Sequence, residues 1–339
     1  MPAEWEPHEA TWLIWPHDER HWPGKFEAVH PIWARMVKEL ETGEDVRILI
    51  HDDAVQLIAE SHMAQAGVSG QRVHVHRVLN NYSWVRDCGP IFLKNSRGET
   101  LLTHWGYNAW GDQWDHELDD RIPEAISAIT GIERVTAPMI LEGGSVDVNG
   151  RGALLTTENC LLNPNRNPNL TKPQMEQYLK DYLGVTKVQW LAGDIAGDDT
   201  SGHIDALARF VDSSTIVTII EEDPSDENFE SLQANLRNLK TLTDQDGHPF
   251  NIITLPLPKP VMWKGTRLPA TYANFYIGNA AVLLPVFDDR NDTVAIEVIQ
   301  KAFPNRRIAP INARDLIWGF GAFHCVTMQQ PHATSHSKR

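Results

Sequence analysis

Chemically distinctive turns recur along this chain of 339 residues, near positions 87, 142, 203, 279 and 325. The intervals, roughly 45–75 residues, match a repeated supersecondary unit rather than a set of unrelated loops. Between the turns lie apolar segments of helical and strand period. Helices are expected over 26–40, 54–66, 172–183 and 294–302, and strands over 46–50, 73–76 and 151–156. The spacing predicts a strand–strand–helix–strand unit that places one turn at the same end each time. Several units would then build one central site.

The last turn is Gly319-Phe320-Gly321-Ala322-Phe323-His324-Cys325-Val326-Thr327. Its glycines permit close backbone approach. Val326 and Thr327 suit a strand that would hold the Cys325 thiol at its mouth. A single cysteine is more often a buried core residue than a nucleophile. A nucleophilic thiol needs a histidine and carboxylates as partners, and the other turns supply both. Asn80–Pro90 sets Asp87 beside Trp84 and Arg86, a combination suited to gripping a planar cation against an aromatic wall. A solvated Arg86–Asp87 pair fits that string equally well. Residues 104–116 hold Trp105, Trp110 and Trp114 with two glycines, and are expected to form an aromatic loop or lid. Glu142 precedes Gly143-Gly144 and a short strand that turns at Asn149-Gly150.

The stretch 193–205 is the most polar. It contains Asp198 and Asp199, then His203 and Asp205, which are expected on one side of a strand continuing to Val211. His-x-Asp also occurs in metal hydrolases, but the further His or Cys ligands are lacking, so no metal site is assigned. An acidic helical segment is expected over 221–247, a basic loop over 261–269, two strand segments around Asn279, and a disordered tail over 332–339.

Composition narrows the partners. The chain is 42% hydrophobic, which supports a large core, and it has no apolar run of membrane-spanning length. Its start lacks signal-peptide character, and three cysteines make no disulfide framework, so a reducing, cytoplasmic setting is expected. A net charge of −15 disfavours nucleic acid and favours a cationic ligand.

Trp84-x-Arg86-Asp87-x-Gly89-Pro90, Glu142-Gly143-Gly144, Gly202-His203-x-Asp205 and His324-Cys325 together resemble the signature set of the agmatine deiminases. These belong to the peptidylarginine deiminase-like proteins of the guanidine-modifying superfamily. The opening Met1–Ala10, the loop Asn108–Gly111 and the string Pro269–Tyr276 share the resemblance, which runs from residue 1 to about 331. It implies one α/β domain over 1–331, a five-fold pseudosymmetric propeller, with no cofactor and no metal. It implies Cys325 as nucleophile, His203 as acid and base, Glu142 beside it, and Asp87 with Asp205 on the guanidinium. Trp84, Trp110, Asp198 and Asp199 are candidates for the rest of the substrate. The expected reaction converts agmatine and water to N-carbamoylputrescine and ammonia. The alternatives are deimination of free or peptidyl arginine, or an idle guanidine binder. A homodimer is compatible with the family. The chain departs from the usual Gly-Gly-Gly-Asn-Ile-His-Cys at Phe320 and Ala322, and Met328 stands where glutamine is common.

Overall fold

A parallel strand pair cannot be closed by a tight turn and needs a long crossover. The chain answers that need in the same way five times. Each of five sheets joins an antiparallel pair to a parallel pair, and a helix bridges each parallel pair. In the computed structural model, which describes residues 1–193 and 195–333, the first sheet runs Met328–Pro331, His8–Ile14, Asp45–Ile50, Val73–Arg77. The others run Ile91–Lys94, Thr100–Gly106, Arg134–Ile140; Asp147–Val148, Ala153–Thr157, Lys187–Leu191; Ala208–Phe210, Thr215–Ile220, Asn251–Pro256; and Tyr276–Ile277, Ala281–Val286, Arg307–Asn312. The crossover helices Phe26–Leu40, Lys172–Leu183 and Asn291–Ala302 fall where their periodicity puts them.

The differences from expectation have local causes. His203 and Asp205 do not lie on a strand: Ile204–Ala206 is a 3-10 turn, and the strand begins only at Ala208. The turn is supported by Thr200, whose hydroxyl accepts from the His203 amide. Val326-Thr327 likewise remain in a turn, with the strand starting at Met328. The basic segment 261–269 is a hairpin, Val261–Trp263 with Thr266–Leu268, not a loop. Within 221–247 only Phe229–Leu239 is helical. Asn279 is structural: its side chain bonds both backbone polar groups of His8 and the Gly43 carbonyl. Of the expected tail, the His332 amide donates to the Pro7 carbonyl, and residues 334–339 lie outside the described part.

The chain's last described strand pairs with its first, and a buried carboxylate fastens that closure. Glu4 stands 2.9 Å from Arg209, 3.3 Å from Arg86 and 2.8 Å from the His324 ring, and accepts from the Ile277 amide. Burial opposes its charge, but Arg209, His324 and Arg86 outweigh that and hold its carboxyl well below the usual range. Removing one partner of a buried ionic group leaves the others uncompensated, which costs about 3–5 kcal/mol. Glu4→Ala should therefore lose about that much unfolding free energy in urea, whereas exposed Glu60→Ala should change it by less than about 0.5 kcal/mol.

Candidate active site

Each sheet's first strand is preceded by a turn, and the turns bear the chemistry. Asp87 comes just before Ile91–Lys94, Glu142 before Asp147–Val148, His203 and Asp205 before Ala208–Phe210, and Cys325 before Met328–Pro331. The fifth such position belongs to Asn274, before Tyr276–Ile277, and not to Asn279.

The five sequence-predicted residues meet at one place. Around Gly144 a Cβ would come within 2.6 Å of His203 Nδ1, 2.8 Å of Asp87 Oδ1 and 3.0 Å of Asp205 Oδ2, so only glycine permits this convergence. Asp87 accepts from the Gly144 amide at 2.9 Å and from Trp110 Nε1 at 3.1 Å. Asp205 Oδ2 accepts from His324 Nδ1 at 2.7 Å and lies 3.6 Å from Cys325 Sγ. Asn274 donates to Cys325 Sγ at 3.2 Å, while its carbonyl oxygen accepts from the backbone amides of Ala322 and His324. It thus folds the thiol's loop and touches the thiol. Gly321 allows Trp84 to close on that loop, where a Cβ would lie 2.6 Å from the Trp84 ring.

His203 is 1% exposed, yet neither ring nitrogen makes a hydrogen bond. Nδ1 is 3.8 Å from Asp87 and Nε2 is 3.8 Å from Glu142, which are ion-pair distances only. Glu142 makes its hydrogen bond to Arg166 instead, at 2.9 Å. Arg166 also donates to the Thr200 carbonyl and to Ser201, and is fully committed to this loop. Arg86 is no surface partner of Asp87. It is 2% exposed and bonded to Glu4, Gln329 and the His324 carbonyl.

Two small cavities, each with a volume of about 10 Å³, meet at Thr200, Phe320, Gly321 and Cys325. The first is lined by Asp198, His203, Asp205 and Asn274, the second by Asp87, Trp84, Trp110, His21 and Asp199. Asp198 uses its carboxylate to bond Thr200 and the Gly202 amide, and so builds the turn before His203. Asp199 is half-buried, its carbonyl tied to Gln113, which also holds the Trp110 carbonyl. Residues 104–116 do not form one loop. Trp105 sits on the strand Thr100–Gly106 and packs into the core, whereas Ala109, Trp110 and Asp112 take positive φ that turns Trp110 into the site.

The electrostatics follow from this crowding. Burial, then Asp205 and Asp87, push the Cys325 thiol well above its ordinary range despite Asn274. Asp87 is raised to about 6 by burial, with Asp205 and Glu142 adding and His203 opposing. Asp199 is raised to about 7 by burial and Asp198. Burial works against charge on His203, but Asp87 and Glu142 overcome it and hold the ring well above its usual range. Glu142 is brought down to about 2: burial opposes its ionisation, and His203 and Arg166 prevail. Negative charge is thus in excess around the thiol, and a cation is the ligand that relieves it. Sequence reasoning missed Asn274, Glu4 and the structural side of Arg166. The first two lie inside the strings Pro269–Tyr276 and Met1–Ala10, which contributed to the resemblance but had been given no role.

A buried thiol, an unbonded histidine and three carboxylates in a mixed α/β fold define the class: a cysteine–histidine–carboxylate site shaped for a cation. The chain belongs to the Porphyromonas-type peptidyl-arginine deiminase family, whose model matches residues 1–331. A Legionella pneumophila protein named "Putative agmatine deiminase" is 35% identical over 98% of this chain and 94% of its own length. The agmatine deiminase of Enterococcus faecalis, solved catalysing its reaction, superposes with a TM-score of 0.91 at 31% identity, covering 98% of this chain and 96% of that one. A cysteine-to-serine variant of C. jejuni agmatine deiminase with substrate bound gives 0.89 at 33% identity over the same shares. Among the described residues no helix is long and apolar enough to cross a membrane.

A cation that pairs with Asp87 needs it ionised, so affinity is lost as pH falls through the free protein's value near 6. Guanidinium binding to Cys325→Ser, followed by calorimetry, should be nearly constant above about pH 7 and weaken about tenfold per unit below about pH 6. An affinity independent of pH across that range would remove Asp87 from the cation.

Proposed function

We propose that this chain is a deiminase of small guanidines that converts agmatine and water to N-carbamoylputrescine and ammonia. The observation that carries the reading is the Cys325 thiol set among Asp87, Asp205 and the unbonded His203, in a chain that is 31–35% identical to agmatine deiminases by name. A guanidinium offers five donors in a planar fork, and Asp87 and Asp205 take its edges. Its positive charge offsets the two carboxylates that keep the thiol protonated, so the thiol proton passes to solvent as the substrate enters. The thiolate adds to the central carbon. His203, already charged, gives its proton to the departing nitrogen, and ammonia leaves an amidino-thioether on Cys325. Neutral His203 then takes a proton from water, whose oxygen adds to the same carbon and expels the thiolate, giving the urea. Glu142, fixed by Arg166, keeps the imidazolium charged and oriented.

Further proposals rest on the same observations. The five like sheets and the pairing of the last strand with the first support a five-fold propeller around the site, formed by one catalytic domain over 1–331. Three buried unpaired cysteines fit the reducing cytoplasm. Cys325→Ser should abolish turnover while retaining substrate, and a halo-amidine should add mass at Cys325 and not at Cys88 or Cys160. Normal turnover by Cys325→Ser would remove the thiol from the reaction.

Agmatine is preferred over arginine because of what lines the cavities. Among the described lining residues none is lysine or arginine, and the guanidinium groups of Arg86, Arg166 and Arg209 are committed elsewhere. Arginine's carboxylate would meet Asp199 where agmatine's chain brings an amine at most. With a thiol only 7% exposed, a polypeptide has poor access. Competition between the substrates should favour agmatine by at least about a hundredfold in kcat/KM, about 2.7 kcal/mol of discrimination. Asp199→Asn should raise the KM for agmatine more than it lowers kcat. Citrulline formed as fast as N-carbamoylputrescine would overturn the substrate and leave the chemistry at Cys325 in place.

A further inference from the structure

One buried nucleophile has no part in this reaction. Cys160 is 0% exposed and lies behind the site, its Sγ 3.9 Å from Glu142 Oε2. That same oxygen is 3.8 Å from His203 Nε2, and the three donor atoms all fall within 4.8 Å of one another. A tetrahedral zinc ion, with bonds of about 2.0–2.3 Å, needs its ligand atoms roughly 3.4–3.6 Å apart. The two spacings at Glu142 Oε2, 3.8 and 3.9 Å, need to contract by only a few tenths of an ångström to meet on one ion, and the third pair already lies within 4.8 Å. The surroundings already have the form of an outer shell. Arg166 takes Glu142 Oε1 and leaves Oε2 facing the other two donors. Asp87 Oδ1 stands 3.8 Å from the opposite ring nitrogen of His203, where a carboxylate orients a metal-binding imidazole. His203 Nε2, buried and without a hydrogen bond, also calls for a partner there.

We propose that Glu142, Cys160 and His203 form an inhibitory site for a divalent transition-metal ion, with zinc the best chemical match. Thiolate, imidazole and carboxylate together select zinc over magnesium or calcium. The ion arrives through the cavity that His203 lines, drawn by its carboxylates. It displaces the Cys160 thiol proton to solvent, takes the three donors, and leaves its fourth position to water. With His203 Nε2 occupied, the ring can no longer pass protons, and the ion's charge opposes a guanidinium at Asp87. Binding does not depend on the deiminase reading; the inhibition does.

The test uses the full-length, metal-stripped protein. Zinc should inhibit turnover reversibly, with relief by a chelator and protection by saturating substrate. Cys160→Ser should retain turnover without metal and need at least about a hundredfold more zinc, since even outer-shell partners are worth ten- to a hundredfold. Cobalt(II) should give a thiolate charge-transfer band with the wild type and with Cys325→Ser, and none with Cys160→Ser. A band that vanishes in Cys325→Ser would put the metal on the nucleophile and overturn the proposal. Undiminished zinc inhibition of Cys160→Ser would overturn it as well. Should Cys160→Ser fail to fold, the cobalt spectrum of Cys325→Ser alone decides. That spectrum also needs no turnover, so it reads out even if agmatine is not the substrate.

Discussion

A single buried carboxylate ties together segments that lie far apart in the chain. Glu4 meets Arg86, Arg209, the Ile277 amide and His324, so one side chain near the start contacts the turn before Ile91–Lys94, the strands Ala208–Phe210 and Tyr276–Ile277, and the last turn. An ionised carboxylate is tolerated at such depth only when several donors surround it, and each of these donors comes from a different stretch of sequence. The geometry of the site inherits that dependence. His324 touches Glu4 with one ring nitrogen and Asp205 with the other, so the position of Asp205 beside Cys325 is set from behind by Glu4.

In front of this compensated layer the balance is reversed. Asp87 and Asp205 crowd the thiol, Glu142 stands on the far side of His203, and Arg166 is spent on Glu142. The protein holds an unfavourable charge arrangement that a ligand resolves. Burial raises the thiol and Asp87 in the same direction, and in the proposed reaction one event, the arrival of positive charge, ionises both. Specificity and activation then have a common origin. A neutral analogue of similar shape would neither bind well nor ionise the thiol.

Much of this was legible in the sequence, and the limits were physical. Helices 26–40 and 172–183 follow from apolar period, and the recurrence of polar turns reported the repeated sheet. His203 and Asp205 do converge, beside Gly144, but from a 3-10 turn and not along the expected strand. Asn279 was singled out by its place between strands, whereas the amide that touches the thiol, Asn274, sits in an apolar string that looks like core. Glu4 has no local signal at all. Its value comes from partners 82 to 320 positions away, which periodicity and turn chemistry cannot register.

The pairing of Met328–Pro331 with His8–Ile14 also orders events in time. During synthesis the carboxylate turns leave the ribosome first, and Cys325 emerges among the last residues of the fold. Contacts of such long sequence separation form late, after the intervening units have collapsed. A truncated or half-made chain therefore lacks both its reactive sulfur and the strand that seals the first sheet. The turn that carries Cys325 and the strand that seals the first sheet therefore join the fold in one late step.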